Sequence, residues 1–328
     1  MRKVMFCLLV LSCLSLTVPV DAGRFKVLVV MSYEQDNPWC IEIKEGIETS
    51  LGDSSDVTYF YMNTKANFEG GPGKAKEAFE LFQQLQPDGV ITTDDDAQAM
   101  FVLPYLKGRV STPVIFCGVN AEPEKYGFPT GHISGVLERG HVRESIAFMQ
   151  LLQPSVKRIG FLANDVPAGQ ALQRQVSSEK GGYPNTIVVD FRLLKTTGEL
   201  TAACQAMNSS TDALYIDSLE GIADEKMNHL KNKELLEIIR KNYQKPIMGA
   251  NRYHVEQGAL CAVVKTGQEQ GETAAAALLE SMRGKPVGSI AVTRNYIGRR
   301  VINVNVLDVF GIIPKPAVLH GATLVRMR

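Results

Sequence analysis

Apolar runs recur along this chain, each opened by a charged residue or a proline and closed by a small polar residue. Three of them occur twice. Lys26-Val-Leu-Val-Val-Met-Ser32 is echoed by Lys157-Arg-Ile-Gly-Phe-Leu-Ala-Asn164, and Asp88-Gly-Val-Ile-Thr-Thr-Asp94 by Asp212-Ala-Leu-Tyr-Ile-Asp217. Pro113-Val-Ile-Phe-Cys-Gly-Val-Asn120 is echoed by Pro246-Ile-Met-Gly-Ala-Asn251. A run without polar alternation is the pattern of a parallel strand covered on both faces. Its polar end marks the carboxyl edge of the sheet, where open α/β sheets hold their ligands. Two sets of such strands predict two similar lobes that close over something small.

Helical spacing fills the gaps between these strands. Trp39, Ile43, Ile47 and Leu51 recur at helical intervals after Pro38. Further helices are predicted at 75–85, 94–106, 142–152, 167–180, 198–207 and 222–242, and in the Ala-rich stretch 267–282. Gly70-Gly71-Pro72-Gly73 reads as a loop. Additional strands are predicted near 57–62, 132–137, 186–191 and 259–264, and apolar runs at 301–304 and 306–310 close the chain. Strands alternating with helices of this length mean βαβ units. The predicted fold class is α/β, with two Rossmann-like lobes of parallel sheet joined by a multi-segment hinge. One lobe is expected over 23–136 plus about 262–292, the other over 137–261 plus about 296–328. No low-complexity linker separates them. Short crossings near 120–137, 258–266 and 288–304 are expected instead.

The first residues change the picture of where this chain works. Arg2 and Lys3 precede an apolar stretch from Val4 to Leu16, Pro19 breaks it, and Val20-Asp21-Ala22 suits a signal peptidase. Residues 1–22 are therefore read as an export signal. Cys13 is a poor lipoprotein acceptor, because apolar residues and not a polar tether follow it. No later stretch approaches the roughly 18 apolar residues of a membrane span, so a soluble protein of the periplasm or another extracytoplasmic space is expected. Without residues 1–22 the chain carries 33 basic and 34 acidic side chains. That balance offers no electrostatic case for nucleic acid or an anionic membrane. Cys40, Cys117, Cys204 and Cys261 lack metal-pair spacing. They read as buried thiols, with one disulfide open to an exported protein.

The strand-end loops carry the candidate chemistry. Ser32-Tyr33 and Trp39 set hydrogen-bonding groups and aromatics just before a helix N-terminus. Thr92-Thr93-Asp94-Asp95-Asp96-Ala97 holds more acids than a helix cap requires. The surplus suits a ligand amine, a cation or lobe-to-lobe hydrogen bonds. Asn120 ends the third loop, after Gly118. The second half offers Asn164, Asp217 and Asn251, with Arg252 beside it. Each alone is an ordinary turn former; six polar loops at matching strand ends form a pattern. Catalytic arrangements are missing. There is no Gly-x-Ser-x-Gly elbow, Gly70-Gly71-Pro72-Gly73-Lys74-Ala75 lacks the Ser or Thr of a phosphate loop, and the five histidines lack metal spacing. His254 near Asp217 could act as a base, though a core or surface histidine is the commoner reading. No cofactor or metal is expected.

Several segments carry a family resemblance. Val301-Ile-Asn-Val-Asn-Val-Leu-Asp-Val-Phe-Gly-Ile-Ile-Pro314, Gly258-Ala-Leu260 followed by Gly271, and Ile133-Ser-Gly-Val136 resemble ABC-transporter substrate-binding proteins of the type I periplasmic-binding fold. The branch is that of tryptophan/tyrosine-binding lipoproteins, and the likeness covers about 24–326. Ser32-Tyr33 with Trp39, Asp94-Asp95-Asp96-Ala97 and Phe116-Cys-Gly-Val-Asn120 are also similar to extracytoplasmic sensor domains of histidine kinases and diguanylate cyclases. Asn is more usual than Asp96 there. With no kinase or cyclase after Arg328, a solitary, monomeric receptor is implied. Its partners would be an ABC permease or, alternatively, a membrane sensor kinase. An exported α/β enzyme would need a base–nucleophile pair that the chain does not display. The expected ligand contacts are Ser32, Tyr33, Trp39, Asp94, Asp95 and Asn120 from one lobe. Asn164, Asp217, Asn251 and Arg252 are expected from the other. The acids and aromatics among them suit an amine-bearing or aromatic ligand such as an amino acid.

Overall fold

The computed structural model describes residues 23–217 and 219–327. The predicted export signal and Ser218 lie outside the described residues. Thirteen strands are described: β1 (Phe25–Met31), β2 (Ser55–Tyr61), β3 (Gly89–Thr93), β4 (Val114–Val119), β5 (Ile133–Leu137), β6 (Arg158–Asn164), β7 (Ile187–Leu194), β8 (Ala213–Asp217), β9 (Ile247–Gly249), β10 (Cys261–Val264), β11 (Thr293–Arg294), β12 (Arg299–Asn303) and β13 (Thr323–Val325). They form two sheets, ordered β11-β5-β4-β3-β1-β2 and β13-β12-β10-β9-β8-β6-β7. All pairings are parallel except β10 with β12. The strand orders superpose, with β1 answering to β6, β3 to β8 and β4 to β9. These are the three echoes read in the sequence.

The unalternating runs follow from helices on both faces. Val27, Val29 and Met31 pack with Ile43, Ile47 and Leu278, whereas Leu28 and Val30 face Ala75, Phe82 and Phe101. In β8, Ala213 and Tyr215 belong to one core, Leu214 and Ile216 to another. Fully burying each such side chain contributes about 1.5–3 kcal/mol. Helix Pro38–Leu51 and helix Gly267–Met282 lie against each other so closely that glycines stand at the crossing. An added Cβ at Gly46 would lie 2.1 Å from the Gln268 carbonyl oxygen, and one at Gly271 2.2 Å from that of Ile43. Cys40, Cys117, Cys204 and Cys261 are all buried, unpaired thiols.

Local departures from the sequence reading have identifiable causes. Helix Gly71–Leu85 begins within the expected glycine loop, with Pro72 in its first turn where a missing N–H costs nothing. The helix expected from 94 is α-helical only over Asp94–Ala97 and widens into a π-helix over Gln98–Leu106, which contains Pro104. The expected helix at 222–242 begins only at Asn232. Before it, Asp224 draws the backbone N–H groups of Lys226 and Asn228 into a turn. The closing apolar run at 306–310 is largely helical, because Asn303 Oδ1 accepts from the N–H groups of Asn305 and Val306 and caps helix Val304–Val309.

The chain passes between the sheets three times, at 138–141, 265–266 and 295–298. A polar cluster ties these crossings together. Glu269 accepts from the backbone N–H groups of Tyr296, Ile297 (2.7 Å) and Gly298 (2.9 Å). His141, 2% exposed, lies 3.7 Å from Glu269 and 3.3 Å from Glu144, and Asn295 joins it at 2.8 Å. Arg294 adds ion pairs to Glu144 and Glu179. Burial alone would raise the Glu269 carboxyl, but His141 and the three N–H donors pull it down to about 2. Burial likewise opposes the His141 charge, yet Glu144 and Glu269 hold it above its ordinary value.

The signs are opposite and define a window. Stabilisation by Glu269 is complete above its unfolded value of 4.5 and is lost as pH falls towards 2. Stabilisation by His141 is complete below 6.5 and is lost as pH rises through its higher folded value. The cluster is therefore fully stabilising between 4.5 and 6.5. The displacement of Glu269 from 4.5 to about 2 corresponds to about 3 kcal/mol. Glu269→Gln should cost about 2–3 kcal/mol at pH 5.5 and flatten the acid limb of the stability profile, as measured by denaturant melts at several pH values.

Candidate functional site

β1, β3 and β4 are parallel neighbours, so their carboxyl ends share one edge of the first sheet. β6, β8 and β9 do the same in the second. At the first edge, Asp94 is the focal residue. It is 1% exposed and adopts a left-handed backbone with φ 62°. Its Oδ1 accepts the indole N–H of Trp39 at 3.0 Å, while its buried Oδ2 has no hydrogen-bond partner. Burial pushes this carboxyl well above the usual carboxylate range; the Glu138 charge adds to that, and the Trp39 hydrogen bond opposes it. Gly118 makes the packing possible. Its φ is +71°, and a Cβ there would lie 2.8 Å from Asp94 Oδ1.

Tyr33 and Trp39 are both partly exposed beside this carboxyl. Lys65 Nζ sits 4.5 Å from the Tyr33 ring centroid. Burial, then the charges of Asp94, Asp96 and Glu138, push the Tyr33 phenol up. Asn120 is exposed and donates to Glu138 Oε2 at 3.1 Å. Two expected contacts have turned inward. Ser32 is fully buried, donating to the Thr93 carbonyl at 2.6 Å and accepting from the Ala97 N–H at 2.9 Å. Asp95 accepts from the N–H groups of Asn120 and Ala121 and from the Tyr126 hydroxyl at 2.7 Å. Both shape the loops that hold Asp94.

In the second lobe, Asn251 gathers the polar groups. Its amide donates to Asp217 at 3.4 Å and to the Tyr253 hydroxyl at 3.1 Å. Asn164 is 5% exposed and donates to the Glu220 carbonyl at 2.8 Å. Arg252 is turned along its own helix to Glu256, 2.9 Å away. His254 is fully buried and accepts the Asn251 N–H through Nδ1, and burial pulls its pKa down to about 3. It stays neutral at ordinary pH. Among the described residues no group of three His, Cys, Asp or Glu is placed to hold a metal ion.

Two residues absent from the sequence reading complete the arrangement. Glu138 follows β5 and Lys265 follows β10, strands that occupy equivalent places in the two sheets. Their side chains form a close ion pair between the crossings. Glu138 is 8% exposed, whereas the Lys265 side chain is 34% exposed. Burial disfavours the Lys265 ammonium, but Glu138 and then Asp217 outweigh it and hold its pKa above the ordinary value. Asp217 and Lys265 also act on Tyr253. The groups thus run from Trp39 and Asp94, through Glu138 and Lys265, to Asp217, Asn251 and Tyr253. The available signal was the echo itself: each of the two is the charged residue closing an apolar run, at 133–138 and 261–265.

Residues 42–326 match the model of a family described as ABC transporter substrate binding protein. A tyrosine-binding protein of Clostridioides difficile (strain R20291) is 24% identical over 209 residues, which span 62% of this chain and 56% of that protein. Among solved structures, a substrate binding protein with adhesive properties from Clostridium difficile, in ligand-free, open form, aligns with TM-score 0.67 and 16% identity. That alignment covers 93% of this chain and all of the other. An ABC domain from Streptococcus pneumonia in complex with L-Trp gives TM-score 0.51 and 18% identity, covering 92% of this chain and all of that one. At these identities the solved structures establish a shared fold, that of type I periplasmic binding proteins.

Proposed function

The chain belongs to the ABC transporter substrate-binding protein family, and from that premise we propose that it captures an amine-bearing aromatic solute, in particular an amino acid, and delivers it to an ABC permease. It acts outside the cytoplasm, as a monomer, and releases its ligand chemically unchanged. Among the described residues no helix is long and apolar enough to cross a membrane. The two gripping units follow the two sheets, 23–137 with 267–294 and 142–264 with 299–327. The three crossings serve as hinge, and closure is favoured because the ligand touches both units only in the closed form.

The observation that carries this reading is Asp94: a buried carboxyl with one oxygen on Trp39, the other without a partner, and two aromatics beside it. An unpartnered buried charged group is costly, and an ammonium is the chemical complement that offsets the cost. Tyr33, Trp39 and Asn120 would contribute from the first unit, Asp217 and Asn251 from the second. Ser32, Asp95 and Asn164 would act through the loops they hold, and Arg252 through its bond to Glu256 along the helix that Asn251 caps. The tyrosine- and tryptophan-binding relatives support the aromatic choice.

A thermal-shift screen of the mature protein against amino acids, aromatic amines, purines, short peptides and sugars tests it. At a concentration 100 times Kd, a true ligand stabilises the native form by about 2.7 kcal/mol. Stabilisation by tyrosine or tryptophan is expected, with the compound recovered intact by mass spectrometry. A response confined to sugars or to amine-free carboxylates would overturn the reading, and turnover of the ligand would return the chain to the enzymes. Loss of labelled-ligand uptake on gene deletion would separate import from signalling.

A further inference from the structure

The Glu138–Lys265 ion pair is an unusual object to find between two lobes that must grip a small molecule. Its members close equivalent strands of the two sheets, so the pair bridges matching points of the two halves. Glu138 is nearly buried and is steadied by Asn120, but Lys265 keeps a third of its side chain exposed. Beside it stands a second carboxyl: the Glu138 charge acts on Asp94, whose Oδ2 is buried without a partner. A further cation would suit these two carboxyls, and Lys265 offers an ammonium to an anion.

We propose that the Glu138–Lys265 pair is the specificity element of the crevice and exchanges partners with the ligand. The ligand carboxylate replaces Glu138 on Lys265 Nζ, and the released Glu138 joins Asp94 around the ligand ammonium. The ligand class is then a free amino acid carrying both charges close together, not a simple amine, a peptide-linked residue or a carboxylate alone. Glu138 and Lys265 satisfy each other until such a ligand arrives, and only a zwitterion satisfies both when they part. An amine without a carboxylate leaves Lys265 with its original partner and gains only Asp94. The inference rests on the amino-acid reading above and sharpens it.

Calorimetric titration of the mature protein with L-tyrosine, L-tryptophan, tyramine and 3-(4-hydroxyphenyl)propionate tests it. Wild type should bind the better amino acid at least 100-fold more tightly than tyramine, and the propionate should bind no better than tyramine. Lys265→Met should remove about 100-fold of the amino-acid affinity without weakening tyramine, for which Glu138 is then released, and Lys265→Arg should recover part of the loss. If Lys265→Met is poorly folded by circular dichroism, the double variant Glu138→Gln/Lys265→Met removes both charges of the pair together and carries the same test. Equal binding of tyrosine and tyramine by wild type, or full tyrosine affinity in a folded Lys265 variant, would overturn the exchange and leave the amino-acid reading standing. Failure of every amine and amino acid to bind wild type would overturn both.

Discussion

Asp94→Asn should abolish the ligand-induced thermal shift and at the same time raise the melting temperature of the unliganded protein. Both halves follow from one geometry. Asn keeps an oxygen for the Trp39 indole, tolerates the left-handed backbone at this position, and removes a carboxylate whose charged form burial disfavours. Because the folded carboxyl titrates above its unfolded value, its charge is a cost at neutral pH, and the neutral amide escapes it. The same charge is what an ammonium ligand would use. Its loss should weaken binding at least 100-fold, about 3 kcal/mol. Thermal melts with and without ligand check both arms. A full ligand shift in Asp94→Asn would move the site elsewhere. Unchanged melting of the unliganded variant would mean that folding does not raise the Asp94 carboxyl above its unfolded value.

Gly46→Ala should destabilise the protein by more than about 4 kcal/mol, against the sign of helix propensity. In an unencumbered helix the change gains about 1 kcal/mol. Here the new methyl group would stand 2.1 Å from the Gln268 carbonyl oxygen, a backbone atom that cannot rotate away. The two helices would have to separate, opening the layer that covers Ile43, Ile47, Ala274, Ala275 and Leu278. Gly73→Ala is the matched control, since nothing lies within 4 Å of an added Cβ in the first turn of helix Gly71–Leu85. Urea melts should show it neutral or slightly stabilised. A Gly46→Ala midpoint at or above wild type would disprove the close crossing.

The architecture was legible because both faces of each sheet are covered. That makes every central strand an unbroken apolar run, and the three echoes then announce two sheets of one design. What remained hidden was set by side-chain direction. Ser32 and Asp95 occupy the expected strand-end loops, but their oxygens are consumed by Ala97, Thr93, Asn120 and Tyr126. Composition cannot separate a polar residue that braces a loop from one that faces the crevice. Glu138 and Lys265 were passed over for the converse reason. Each is a solitary charge, and only the pairing of β5 and β10 within equivalent sheet positions brings them together. The short helix Val304–Val309 was equally opaque, since one asparagine cap outweighs a strand-like run of apolar residues.

The contact between helix Pro38–Leu51 and helix Gly267–Met282 has a consequence for how this polypeptide reaches its native state. Partners more than 200 positions apart must meet before the first lobe has a finished interior, and the second sheet likewise waits for β12 and β13 near the chain's end. A nascent chain therefore cannot finish either half in order of appearance. Such long-separation closure slows folding and leaves Ile43 and Ile47 uncovered until the late segment arrives. Delayed compaction of this kind makes that bare face the first surface at which unfinished molecules would stick to one another.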